Sequence, residues 1–572
     1  MQNSAVAATL TELADLLEMT GENVFRIRAY RRAAEAVAAL GEPVATVLAR
    51  DPHGVPGIGA GIADHLEELL RSGSIALVDR LHLQYPTGVV GLLAVPGVGP
   101  KLAARVYTDL GIADLPGLEA AVRDGRLAGL SRVGTKLASS ILRNIEGMKL
   151  RGGRTPIGVA RPLAEAIIAS LRAGGKVQRL TAAGSLRRFQ ETIGDLDLVG
   201  VSDEPEAVMD LLVALPQVMR VLGHGKTKTS VILDGGLQLD LRLVDPPDFG
   251  SLLQHFTGSQ QHNILLREYA VERGLKISEY GITSTATGDV AHFEDEVAVY
   301  AHLDLQYIPP ELRQGRDEIP LAARRALPNL VTLADIRGDL HAHTDWSDGV
   351  NTIEEMIVAA HAGGYAYVAI SDHSAGRGVA NGLSVERLRA QIAEVRAIAG
   401  RYPAIRVLTA SEVDIRADGT MDYPDELLAE LDLVVGSIHS AMAQPADVTT
   451  ARLLLAIENP HVDIIGHLTT RIIGGREGVD FDRAAVFAAA ARTRTALEVN
   501  AHPSRLDLRD SDVRLALEAG AMLTIDTDAH ETAGFDVIDY GVGTARRGGA
   551  RVEDVWNTAA PGRLMGWLQR DR

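Results

Sequence analysis

The chain has 572 residues, 46% apolar and 23% charged, a balance that excludes intrinsic disorder and a length that calls for three to five domains rather than one core. It has no cysteine, which excludes disulfides and thiolate metal sites and fits a protein of the cytoplasm, and no apolar run approaches the ~18 residues of a membrane span. The net charge of −18 speaks against nucleic acid only until it is divided: residues 1–150 carry about −1, 151–320 about −6 and 321–572 about −11, and carboxylates that hold cations are counted as negative.

The opening MQNSAVAATLTELADLLEMTGENVFRIRAYRRAAEAV has early acids and an apolar period near 3.6, so it is read as an amphipathic helix and not as a signal peptide. Residues 1–150 read as an all-α region of short helices separated by Gly and Pro. Within it a unit repeats. Val55-Pro56-Gly57-Ile58-Gly59 is followed by Ala63, and Val95-Pro96-Gly97-Val98-Gly99 by Ala103; a weaker copy runs Val133-Gly134-Thr135-Lys136-Leu137 before Ala138, with Arg132 where the first Gly should be. Glycine permits positive φ and lets N–H groups at a helix start approach a phosphate. Two ordinary helix caps would be the plainer reading, but the spacing recurs intact. The arrangement resembles the helix-hairpin-helix motif, which grips the DNA backbone without reading sequence. That resemblance implies DNA contacts at Gly57, Gly59, Gly97, Gly99, Lys101 and Gly134, with Lys136 as added charge.

Residues 151–310 read as an α/β domain. In AAGSLRRFQETIGDLDLVG (182–200), Asp195 and Asp197 flank one residue of a strand, so both carboxylates face one side. Asp240 lies in a second alternating strand, LQLDLRLV. Three convergent carboxylates repel one another, and two divalent ions, Mg²⁺ or Mn²⁺, would answer that and clamp a phosphoryl transfer. The Gly184-Ser185 turn upstream suits a triphosphate, with Arg187 and Arg188 as charge partners.

Gly-Ser-x-Arg-Arg followed seven residues on by Asp-x-Asp resembles the nucleotidyltransferase palm of family X DNA polymerases. The segment FTGSQQHN (256–263) is similar to that family's wall against the incoming nucleotide. The resemblance covers residues 1 to about 310. It implies that Asp195, Asp197 and Asp240 hold two catalytic ions and that Gly184, Ser185, Arg188 and Gly194 meet the triphosphate. It places Phe256, Thr257 and Gly258 against the sugar and Asn263 against the base. Three positions depart from the family: His255 replaces an aromatic residue, Gln238 replaces an arginine, and His65 stands where eukaryotic relatives have a Schiff-base lysine. An imidazole forms no Schiff base, so lyase chemistry by that route is not expected.

A stretch rich in Pro and charge, placed at 311–334, reads as a linker. After it, strand-like runs alternate with Ala-rich helices, the order of a parallel (β/α) barrel with chemistry at the C-terminal strand ends. His341, His343, Asp348, His373, Glu412, His439, His467, Asp528 and His530 recur at those ends. Six imidazoles with three carboxylates and no thiolate suit two or three ions of Mn, Zn or Fe that activate water against a phosphate ester. The constellation resembles the PHP (polymerase and histidinol phosphatase) domain over 335–572, and Arg377 and Arg471 are candidate phosphate clamps.

Together these imply a monomeric DNA polymerase that fills short gaps in repair from gapped or primer-template DNA and dNTPs, with a PHP 3′-5′ exonuclease. The rival for the PHP domain is a phosphomonoesterase, AP endonuclease or 3′-phosphatase; the rival outside catalysis is a DNA-binding scaffold.

Overall fold

The computed structural model describes residues 3–38, 44–51, 55, 58–95, 98–130, 133–134, 137–139, 141–142, 145, 154–376 and 380–569. The chain forms two compact units, residues 1–153 with 232–237, and residues 154–231 with 238–572.

In the first, residues 3–145 contain no strand among those described. Their helices bury one face each: Leu10, Leu13 and Leu17 recur at helical spacing and share a core with Leu66, Leu69, Val89, Val106 and Leu118. Helices α1 (Ala60–Ser72) and α2 (Pro100–Leu110) begin at Gly59 and Gly99, and each stops at a left-handed glycine, Gly73 (φ 81°) and Gly111 (φ 68°), a conformation that a Cβ would penalise.

The second unit opens with helix α3 (Ile157–Ala173), which packs beside a five-stranded sheet containing strands β1 (Asp195–Val201) and β2 (Gln238–Val244). β1 and β2 pair in parallel with Asp195 opposite Gln238 and Asp197 opposite Asp240. Helices α4 (Phe249–Thr257) and α5 (Gln260–Val271) follow, then a three-stranded antiparallel sheet. The stretch expected as a linker at 311–334 is instead packed. Arg313 is fully buried, donating to the Ile308 carbonyl (2.9 Å) and to Glu296 (2.5 Å), and Glu318 is buried against His262 (2.8 Å). Burying such charges is tolerable only because each has a partner, and the partners fix the segment.

The C-terminal domain is a seven-stranded parallel sheet in sequential order: β3 (Gly338–Asp339), β4 (Tyr367–Ile370), β5 (Arg406–Asp414), β6 (Leu433–Ser437), β7 (Ile464–Ile465), β8 (Ala496–Asn500) and β9 (Leu523–Asp526). A parallel bridge between Ala342 and Ala529 brings the two edges together into a nearly closed barrel. Its strands are buried on both faces, hence continuous apolar runs such as YVAI and LVVGS. Helix α6 (Asp510–Glu518) and helix α7 (Ile538–Gly548) cover the later strands. The seam is closed by a buried acid pair. Asp526 accepts from the Leu340 amide (2.8 Å), and Asp339 accepts from the Thr527 amide (3.0 Å) and hydroxyl (2.7 Å). Burial, partly opposed by hydrogen bonds, raises Asp339 to about 6, and burial beside Asp339 and Glu498 raises Asp526 well above the usual carboxylate range.

Candidate active sites

The first site grows out of the β1–β2 register. Side chains two apart on a strand share a face, and residues opposite one another are neighbours, so Asp195, Asp197 and Asp240 converge. Burial first, then Asp195 and Asp240, push Asp197 up to about 7 against the pull of Arg188 and Arg242. The Gly184–Arg187 turn lies directly against this cluster: Gly184 has φ 58°, and a Cβ there would stand 2.2 Å from Asp197 Oδ2. Only glycine satisfies both demands.

An open cleft of about 760 Å³ is lined by Arg154, Gly184, Ser185, Arg188, Asp195, Asp197, His255, Phe256, Gly258 and Asn263, among others. The other expected residues stand around it. Gly194 sits where a Cβ would approach Arg154 Nη1 at 3.1 Å. Thr257 is buried behind the wall, its hydroxyl accepting from Arg187 (2.6 Å) and its carbonyl from Arg188. Arg187 turns away from the cleft to Glu296 (2.6 Å). Asn263 is braced by the Gln254 amide (2.9 Å) and the His255 carbonyl (2.8 Å). Arg154, which sequence reasoning missed, donates to the Thr192 hydroxyl (2.9 Å) and lines the cleft. Thirty residues before Gly184, it belongs to no motif that announces it. The acid cluster, one member of which holds its proton near neutrality, is what a pair of divalent cations would relieve.

The second site sits at the C-terminal strand ends, the usual place for chemistry in such barrels. Glu412, fully buried on β5, is its hub. Its oxygens lie 2.8 Å from His373, 2.9 Å from His467, 3.2 Å from His439, 3.5 Å from His341 and 3.7 Å from His343. Three groups with metal-ligand spacing overlap: His343, Asp348, His373 and His530; His341, His343 and Asp528; and His373, Glu412 and His439. All nine expected residues therefore meet in one place. His341 Nε2, both ring nitrogens of His343, His373 Nδ1, His467 Nδ1 and both Glu412 oxygens are buried out of hydrogen-bond geometry although several stand within 4 Å of an opposite group, an arrangement that bare burial would penalise and metal coordination would satisfy. Burial, His530 and His373 hold His343 down to about 3, leaving it a neutral imidazole fit to bind a cation. His467 (φ 26°) and Asp528 (φ 56°) are held in left-handed backbone, strain of the kind that collects at functional sites.

A surrounding set of acids escaped the sequence reading. Glu498 Oε1 lies 2.6 Å from His341 Nδ1, and Asp414 Oδ1 lies 2.5 Å from His439 Nδ1. Such partners fix the tautomer and aim the other nitrogen. Arg471 is no phosphate clamp. It is buried, and its guanidinium is spent on Glu191 (2.6 Å) and the carbonyls of Arg505 (2.8 Å) and Leu506 (2.9 Å). Arg377 lies outside the described residues.

In the helical unit, Gly57, Gly97 and Lys136 lie outside the described residues. Gly59 and Gly99 do not use the positive φ expected of them. They are extended N-caps (φ −81° and −88°), and nothing lies within 4 Å of where a Cβ would project, so both helix starts are open. The weak third copy keeps the backbone pattern: the Gly134 carbonyl accepts from Ala138 (3.1 Å) as Gly59 does from Ala63 (3.1 Å) and Gly99 from Ala103 (2.9 Å). Lys101 is exposed in the first turn of α2.

Three families match the chain: the helix-hairpin-helix domain over residues 1–75, the DNA polymerase beta thumb over 252–314 and the PHP domain over 339–502. The DNA polymerase/3′-5′ exonuclease PolX of Bacillus subtilis (strain 168) is 39% identical over 573 residues, covering 100% of both chains. The chain is a bacterial family X DNA polymerase with a PHP domain. A probable phosphatase of Shewanella sediminis (strain HAW-EB3) is 30% identical over 202 residues, 34% of this chain and 77% of its own, and one of Thermoanaerobacter sp. (strain X514) is 27% identical over 210 residues, 35% and 80%.

Within this polymerase the departures have local answers. Gln238 donates to both oxygens of Asp240 (3.2 and 3.3 Å), so hydrogen bonding to that carboxylate persists without the arginine's charge. His255 lines the cleft with Nδ1 3.3 Å from Arg267 Nη2. His65 Nδ1 is 2.8 Å from the Tyr30 hydroxyl. Among the described residues no helix is long and apolar enough to cross a membrane.

Proposed function

We propose that the cleft beside β1 and β2 extends a DNA primer from dNTPs, favouring short gaps in repair, and that the barrel site removes nucleotides from 3′ ends. The observation that carries the first half is the placement of Ser185 and Arg188 in one cleft with Asp195 and Asp197, a phosphate cradle next to a cation site. Asp195, Asp197 and Asp240 hold two ions, Mg²⁺ or Mn²⁺; when bound, these supply Lewis-acid stabilisation of the transferring phosphate. Arg154, Ser185, Arg188 and Gly194 bind the triphosphate, and the cationic side chains draw charge toward the departing pyrophosphate as the primer 3′ oxygen attacks the α-phosphorus. Phe256 and Gly258 form the wall against the sugar, with Thr257 bracing it from behind, and Asn263 meets the base.

In the barrel, His341, His343, Asp348, His373, Glu412, His439, His467, Asp528 and His530 hold two or three ions of Mn, Zn or Fe, best served by Mn²⁺. Glu498 and Asp414 keep His341 and His439 in the tautomer that presents the free nitrogen. The helix starts at Gly59, Gly99 and Gly134, with Lys101, take DNA phosphates, and the protein acts as a cytoplasmic monomer.

The test is a gapped, 3′-labelled duplex incubated with Mg²⁺ or Mn²⁺, with and without nucleotides. Asp240→Ala should lose extension and keep trimming, and His341→Ala/His343→Ala the reverse. Gap filling by the first variant or trimming by the second overturns the corresponding half.

A further inference from the structure

The turn that carries Ser185 and Arg188 is held by the PHP domain at three of four consecutive positions. Arg547, near the end of α7, donates from Nη1 to the Arg188 carbonyl (2.6 Å). The ring of Phe189 packs on Gly543 of the same helix so closely that a Cβ there would fall 2.1 Å from a ring carbon. Glu191 is paired with Arg471 (2.6 Å). Phe189 itself has φ 52°, a conformation that a bulky residue keeps only when its surroundings impose it. Those surroundings are largely α7 and what α7 touches: Arg161 lies 5.2 Å from the Phe189 ring centre and pairs with Asp539 (2.6 Å).

Arg547 is fixed in turn. Asp510, at the start of α6, accepts from its Nη2 (2.6 Å), and its carbonyl accepts from Gln314 (2.8 Å). The Arg547 side chain is buried. Arg188's own burial, then Arg547, Arg313 and Arg154, lower Arg188 to about 10 against the pull of Asp197, so guanidinium groups are gathered where a polyanion would relieve them. Arg188 Nε is buried without a partner beside the cleft.

We propose that Arg547, with Gly543, is a positioning residue of the polymerase: the PHP domain sets the Arg188–Glu191 turn and thereby the affinity for the incoming nucleotide. This rests on the assignment of the Gly184–Gly194 segment to the triphosphate. The nuclease domain is then a structural part of the nucleotide site, whether or not its own chemistry runs. Arg547 touches neither nucleotide nor reacting atoms; it acts through the Arg188 backbone.

The experiment uses the full chain on a single-nucleotide gap with varied dNTP, following exonuclease activity in parallel. Loss of ground-state binding raises KM with little change in kcat, and we expect Arg547→Ala to raise KM about tenfold with kcat within about twofold. Arg547→Lys, which keeps a donor, should fall between, and Gly543→Ala should raise KM while leaving every charge in place. Arg546→Ala is the control. It removes a tether from the same helix to Glu311 (2.7 Å) that does not reach the turn, and should leave KM alone. Trimming of 3′ ends should match wild type in all four. A wild-type KM in Arg547→Ala, while Arg188→Ala raises KM, overturns the proposal and leaves the nucleotide assignment standing. An unchanged KM in Arg188→Ala overturns both. Equal loss of polymerase and exonuclease in Arg547→Ala also overturns it, because Arg547 would then only hold the C-terminal fold.

Discussion

Replacing Asp197 by Asn should stabilise the metal-free protein while ending polymerisation. Asp197 rises from 3.8 to about 7 because it is partly buried beside Asp195 and Asp240. At ~1.4 kcal/mol per tenfold change in protonation, a charged Asp197 costs the fold up to ~4 kcal/mol at pH 8. Water in the open cleft screens part of this, so we expect a gain of ~2 kcal/mol, or ~2 °C in the transition of the compact unit, 154–231 with 238–572, that holds the cleft. The sign is set by a raised carboxyl. Wild type holds the full benefit of the protonated form below pH 3.8 and loses it as pH rises through about 7. Asp197→Asn has no such proton to lose. Thermal unfolding of both proteins in EDTA should therefore diverge from acid pH to pH 8, and Mg²⁺ should restore the wild type more than the variant. Parallel pH profiles, or an Asp197→Asn transition below wild type at pH 8, would refute the argument that carboxylate repulsion is stored there.

Four further outcomes follow from the same geometry. Gly184→Ala places a methyl 2.2 Å from Asp197 Oδ2 at a left-handed φ, so nucleotide incorporation should fall at least about tenfold and the melting temperature should drop. Glu412→Gln removes the carboxylate that reaches five imidazoles, and metal analysis of the purified chain should show fewer ions bound, with trimming of 3′ ends lost and gap filling kept. Glu498→Gln weakens the hold on His341 Nδ1 and should lower Mn²⁺ affinity about 10–100-fold, read as the Mn²⁺ concentration giving half-maximal exonuclease activity. Lys101→Glu puts a negative charge in the open first turn of α2, and should weaken binding to gapped duplexes of any sequence while flattening its salt dependence.

Much of both sites was legible because short-range periodicity carried it. Asp195 and Asp197 share a face by the twofold repeat of a strand, and Asp240 required only that a second alternating strand lie alongside. The barrel histidines announced themselves by following apolar strands one after another. Arg154, Glu498 and Asp414 did not. Glu498 and Asp414 act on His341 and His439 from other strands, Arg154 reaches the cleft by way of Thr192, and only packing brings them there. Arg471 misled for the complementary reason: a basic residue in a loop after a ligand looks free in sequence, and its three partners come from segments 34 or more residues away. The supposed linker failed likewise, since nothing local says that Arg313 will be enclosed by Glu296 and the Ile308 carbonyl. At Gly59 and Gly99 the residue type was informative but the inferred dihedral was not. The absence of a side chain, and not a positive φ, is what opens those helix starts.

The barrel seam has a bearing on how the enzyme is made. His341 and His343 follow the first barrel strand, while Asp528 and His530 follow the last, and the Ala342–Ala529 bridge joins the two ends between them. A chain emerging from the ribosome therefore exposes seven of the nine candidate metal-binding residues before the last two, Asp528 and His530, exist. Domains tend to fold as they are synthesised, so the earlier segments can settle while the barrel is still open. Only when residues beyond 530 arrive can the ring of imidazoles close, and the helix that grips the Phe189 turn, Ile538–Gly548, comes in the same final stretch. A product terminated before residue 528 lacks Asp528 and His530, and with them Ala529, whose bridge to Ala342 closes the ring.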